Sequence, residues 1–201
     1  MNTINYLNIF FEEITNNQAL QSSEYILEKR YNSSVKVQEH YIDNFLSSVT
    51  YFLDNTENQN LILQEYSNIQ IKFYKNEIIS GVYRKYDVEI FDPSGLITNK
   101  YIEVYGESIY PIYYKAIDIQ TNDIIHLQKS FYDSENELSY EFEYDELTGD
   151  FSKLTILDPN NYVDTDDRTI FPSEVGIGNN PYNFTWMGFE YYQNALPIIP
   201  V

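Results

Sequence analysis

The chain has no cysteine among its 201 residues, which excludes a disulfide scaffold, a thiolate nucleophile and cysteine-ligated zinc. It has only two histidines, His40 and His126, and neither lies in a recognisable catalytic context. There is no Gly-x-Ser-x-Gly elbow for a serine nucleophile. Gly176-x-Gly178 follows no strand pattern and opens no helix pattern, so it does not match a phosphate loop. Basic residues are scarce too: twelve Lys and Arg stand against 31 Asp and Glu, for a net charge of -19 and a pI near 4.2. The densest basic run, Lys72, Lys75, Arg84 and Lys85, is too small a footprint for nucleic acid, so no nucleic-acid partner is expected. No run approaches eighteen apolar residues, so no membrane span is expected. Met1-Asn2-Thr3-Ile4-Asn5-Tyr6 lacks a basic region and is soon followed by Glu12 and Glu13, unlike a signal peptide. These absences together lead to the expectation of a soluble cytoplasmic protein.

The chain is nonetheless 43% hydrophobic and 17% aromatic, with 21 Tyr and 12 Phe. That is enough to bury a sizeable core, and 1-201 is expected to form a single domain. Aromatic side chains suit a pleated surface and favour strands. The fold class expected is α+β, in three parts.

The first part, 1-57, reads as N-terminal helices. Thr3 is a candidate N-cap, with Ile4, Leu7, Phe10, Phe11 and Ile14 at helical spacing. A second helix fits Ala19 to Tyr31, with Lys29-Arg30 at its dipole-favoured end, although Tyr25 to Tyr31 also fits a strand. Tyr41, Phe45, Leu46, Val49, Phe52 and Leu53 fit a helical stripe, while Val35-Lys36-Val37 alternates. Residues 19-53 are therefore ambiguous between the two, with helix the reading adopted. Asp54 to Asn60 is a polar loop and a boundary.

The second part, 61-157, changes to period two. Runs at 61-66, 69-74, 78-83, 87-91, 97-105, 109-119, 124-132, 138-145 and 151-157 alternate with short turns. About eight strands in an antiparallel meander are expected. An aromatic followed by Asp opens three of the turns: Phe91-Asp92, Tyr132-Asp133 and Tyr144-Asp145. Asp at the head of a turn can accept from the backbone two residues on. The third part, 158-201, carries Gly176, Gly178, Pro181, Pro197 and Pro200, which disfavour long elements. Its Tyr182, Phe184, Trp186, Met187, Phe189, Tyr191 and Tyr192 point to an irregular aromatic lid folded back on the sheet, or to a binding edge.

Charge is concentrated where the meander ends. Between Asp133 and Asp167 there are 12 acids and one base, Lys153. Within it, Ser139 to Asp145 alternates strictly, so Tyr140, Phe142 and Tyr144 face one side and Glu141, Glu143 and Asp145 the other, about 6.6 Å apart. An ordered anionic face of this kind could occupy the basic groove of another protein. Asp158-x-Asn160 and Asp164-x-Asp166-Asp167 are oxygen-rich, but both break the EF-hand pattern at the fifth position, so no metal or other cofactor is expected. With 31 acids some carboxylate pair will lie near the separation that glycoside hydrolysis needs, and Trp186 with neighbouring tyrosines could line a cleft, so a carbohydrate-binding module or a glycoside-processing enzyme is the alternative.

A small, cysteine-free, tyrosine-rich, strongly acidic chain without a catalytic set resembles the immunity proteins that bacteria make against their own polymorphic toxins. The resemblance is to the class, without a diagnostic motif. It implies a non-enzymatic cytoplasmic inhibitor that binds a cognate basic toxin domain, such as a nuclease. Glu141, Glu143, Asp145, Asp164, Asp166, Asp167 and Trp186 are the expected contact residues. Edge strands of a meander can also pair between subunits, which allows a homodimer.

Overall fold

The computed structural model describes residues 2-133, 138-157 and 169-200. Thirteen strands run through the described residues. They are β1 (Asn2–Leu7), β2 (Glu13–Ile14), β3 (Glu24–Tyr31), β4 (Ser34–Ile42), β5 (Phe45–Phe52), β6 (Gln70–Ser80), β7 (Tyr83–Phe91), β8 (Ile97–Tyr105), β9 (Pro111–Ile117), β10 (Ile124–Tyr132), β11 (Leu138–Tyr144), β12 (Phe151–Ile156) and β13 (Thr169–Ile170). The α-helices among the described residues are α1 (Asn16–Gln21) and α2 (Gln59–Glu65). The hydrogen-bonded strand order is β2-β1-β3, then sequential to β13. By contact density the chain divides into two compact units: Met1–Glu77 with Asp87–Lys100, and Ile78–Tyr86 with Tyr101–Val201.

This corrects the expectation of N-terminal helices followed by an eight-strand meander. The first fifty residues are mostly strand, and the sheet is mixed. The apparent helical stripe of Ile4, Leu7, Phe10, Phe11 and Ile14 is split among β1, β2 and the loop joining them. Leu7 is buried, whereas Phe10 is 75% exposed. What decides against helix further on is turn chemistry. Asn32-Ser33 and Asp43-Asn44 all take positive φ (48°, 69°, 49° and 64°). Two consecutive left-handed residues make a type I′ turn, whose twist matches that of the strands it joins. The turns fold β3, β4 and β5 into successive antiparallel hairpins.

The run at 61-66, expected as a strand, lies mostly in α2. Asn58 caps it by accepting from the Asn60 N–H at 3.0 Å. Ile62 and Tyr66, four residues apart, are buried while Leu61 stays exposed. A helix between β5 and β6 lets these two strands pair in parallel, in the register Val49↔Ile71 and Tyr51↔Phe73. The helix covers one face of the first unit, where Val37, Val49, Ile62, Tyr66, Ile71 and Phe73 form the core. A carboxylate is built into that core: Glu39 accepts from the Tyr66 hydroxyl at 2.8 Å and pairs with Lys29.

In the second unit the ladders from β8 through β13 are antiparallel. The core is Val104, Tyr113, Leu127, Phe142, Tyr144, Leu154 and Ile170, closed by Phe184 and Ala195 from the C-terminal segment. That segment has two 3-10 turns, Pro172–Glu174 and Glu190–Tyr192, and no longer element among its described residues. Its backbone groups need partners, and two side chains supply them. Asn180 is buried; its amide donates to the carbonyls of Glu174, Gly176 and Phe184, and its oxygen accepts from the N–H groups of Tyr182 and Phe184. Lys129, on β10 and 0% exposed, donates from Nζ to the carbonyls of Tyr191 (2.6 Å), Asn194 (2.7 Å) and Pro197 (3.0 Å).

Candidate functional site

Strand β11 alternates as its sequence predicts. Phe142 and Tyr144 point into the second core, where Phe142 stacks on Tyr192 with ring centroids 4.6 Å apart, and the Tyr144 hydroxyl donates to the Tyr192 carbonyl. Glu141 and Glu143 therefore lie on the opposite face, which the described residues of the C-terminal segment leave open. The strand register extends that face sideways. Glu103, Tyr114, Gln128, Glu143 and Lys153 are cross-strand partners in one row over β8, β9, β10, β11 and β12. The rows beside it hold Tyr101, Ala116 and His126 on one side, and Ser130, Glu141, Thr155 and Thr169 on the other. Neighbouring strands lie about 4.8 Å apart, so Glu103 and Glu143, three strands apart, are separated by roughly 14 Å.

The face is wired together by hydrogen bonds. A carboxylate only accepts, so Gln128 turns its amide toward Glu141 (2.9 Å) and its oxygen toward His126 Nε2 (3.0 Å). His126 thereby donates through Nε2. The Tyr105 hydroxyl donates to Glu103 at 2.7 Å. Glu103 is only 5% exposed despite its place on the open face, because tyrosines flank it. Tyr101 and Tyr114 lie with rings 5.2 Å apart, and the Tyr114 ring reaches His126 at 6.0 Å. Burial, then the neighbouring Tyr114 and Glu103, push the Tyr101 phenol up to about 12. Such side chains are held in place before any partner arrives. Preorganised aromatics beside carboxylates are suited to binding a cationic protein surface.

The predicted contact residues divide. Glu141 and Glu143 share the face, with Glu143 also paired to Lys153 at 3.0 Å. Asp145 is used by its own turn: its carboxylate accepts from the N–H groups of Leu147 (3.0 Å) and Thr148 (2.8 Å). Those bonds, that from Thr148 foremost, hold its carboxyl below the ordinary range. Trp186 is on the opposite, core-covering side, packed edge-to-face on Phe151 (4.9 Å) and Phe184 (5.3 Å). Asp164, Asp166 and Asp167 lie outside the described residues, as does the oxygen-rich run from Asp158 to Asn160. Among the described residues no three carboxylate or imidazole groups converge to hold a metal ion.

Sequence reasoning missed Glu103, Tyr101, Tyr114, His126 and Gln128 as members of this face. One signal was present: His126-x-Gln128-x-Ser130 is a polar row of period two, offset from Leu127-x-Lys129-x-Phe131. The lone base in the apolar row was the pointer to a buried ammonium. Among the described residues no helix is long and apolar enough to cross a membrane. No family model matches the chain, and neither the curated proteins nor the solved structures offer a significant match to it.

Proposed function

We propose that this chain is an inhibitor protein of the immunity type, acting in the cytoplasm by covering a basic surface of a cognate toxin domain with the open face of β8 through β12. The observation that carries this reading is the cross-strand row Glu103, Tyr114, Gln128 and Glu143, with Glu141 beside it. Carboxylates and tyrosines side by side on one sheet face supply both halves of a tight interface. The net charge of -19 draws a cationic partner in from a distance. Buried phenol rings and desolvated carboxylates then slow its release.

The test is kinetic. A partner captured at moderate salt from cells that make this protein is expected to be basic, and its association rate to fall as salt rises. Reversing both charges, E141K with E143K, is expected to slow association about tenfold and to flatten the salt dependence, while the loss of the Glu143–Lys153 pair lowers the melting temperature by only a few degrees. Association rates equal to those of the unmodified chain would reject the face.

A further inference from the structure

The first unit carries a separate cleft on the face of β3, β4 and β5 opposite its core. Registers Ile26↔His40, Glu28↔Gln38, His40↔Ser48 and Gln38↔Thr50 bring Gln38, His40, Ser48 and Thr50 onto one surface, with Glu24 at its edge. The cleft has a volume of about 300 Å³. That is at the low end for ligand sites and suits one side chain better than a cofactor. Its floor is polar: His40 Nε2 meets Glu24 Oε1 at 2.7 Å, with the hydroxyls of Ser48 and Thr50 nearby. A carboxylate accepts through two oxygens and about four lone-pair sites, so Glu24 keeps capacity beyond the imidazole. Its walls are apolar, from Ile26 and from Ile9 and Phe11 of the β1–β2 loop.

The loop is built to hold those apolar residues in place. Asn8 Oδ1 accepts from the N–H groups of Phe10 (2.9 Å) and Glu12 (3.0 Å), and Asn8 Nδ2 donates to Glu12 at 2.7 Å. This fixes Phe11 at φ 63°, a conformation in which a bulky side chain is strained. Strain of this kind persists only where surrounding bonds impose it, and it gathers at binding sites. Phe11 remains 54% exposed, so burial of its ring in this chain does not account for the strained placement.

We propose that this cleft is a receptor for a single cationic side chain, an arginine or lysine presented by a protein partner. The carboxylate of Glu24 and the hydroxyls of Ser48 and Thr50 can accept its N–H donors, and the Phe11 ring can cover its stem and charge. The cleft lies wholly in the first unit and does not rest on the role proposed for the second.

Titration of the full chain with Nα-acetylarginine amide, followed by amide NMR, tests this. Saturable shifts confined to residues around Phe11, Glu24, His40 and Ser48 are expected, with dissociation on the order of 1 mM, as befits so small a ligand. E24Q should weaken binding several-fold while keeping a hydrogen-bonding group beside His40. F11G relieves the strained φ and removes the ring, so it should leave the fold at least as stable yet weaken the probe. Shifts that do not saturate, equal binding of Nα-acetylleucine amide, or full binding by both variants would overturn the proposal.

Discussion

At the residue scale, Lys129 ties three points of the C-terminal segment to the sheet of the second unit. Its Nζ faces three backbone carbonyls and lies 3.7 Å from the centroid of the Tyr191 ring. Burial pushes the ammonium down to about 7. The carbonyls act in the other direction, because an ammonium has three hydrogens to offer them and a neutral amine only two. Lys129→Met keeps the length of the side chain and leaves the carbonyls of Tyr191, Asn194 and Pro197 without their donor. A loss on the order of 3 kcal/mol is expected, read by urea unfolding, with faster proteolysis across residues 184-199. Unchanged stability and protease resistance would show that the segment is held without it. Asp145 illustrates the opposite lesson. The alternation of β11 was legible and placed Asp145 with Glu141 and Glu143, but the turn it opens claims its carboxylate. Asp92 and Asp118 serve their turns likewise.

At the scale of elements, the sequence spoke clearly where period two was reinforced by Gly, Pro or Asp turns, as at Asp92-Pro93-Ser94-Gly95 ahead of β8. It misled where apolar residues fell by chance at helical spacing. Ile4, Leu7, Phe10, Phe11 and Ile14 satisfy a 3.6-residue period, yet a strand, a loop and a second strand share them. The signal against helix lies in Asn32-Ser33 and Asp43-Asn44, two-residue turns that take positive φ without a glycine to mark them. The short α2 was hidden by the reverse error, since three apolar residues in a row do not specify a period. Because Ser33 sits at φ 69° in a type I′ turn, Ser33→Gly should stabilise the chain by about 0.5 to 1 kcal/mol. Thermal unfolding of that variant checks the hairpin, and a lowered midpoint would contradict it.

For the whole molecule, the strong negative charge is divided among several tasks. Glu28, Glu39 and Glu103 are buried and paired within the units. Asp92, Asp118 and Asp145 hold turns. Glu141 and Glu143 remain on the open face of the second unit, and their tyrosine neighbours come from strands distant in sequence. That is why the site was only half legible: alternation gives one strand's face, whereas the rows across a sheet depend on registers that bulges and turns decide. The most direct measurement is carbodiimide labelling of carboxylates, read by mass spectrometry, with and without the captured partner. Selective protection of Glu141 and Glu143, with Glu65 and Glu190 labelled as before, is the predicted result. Equal labelling of Glu141 and Glu143 in the bound and free protein would contradict the assignment of that face.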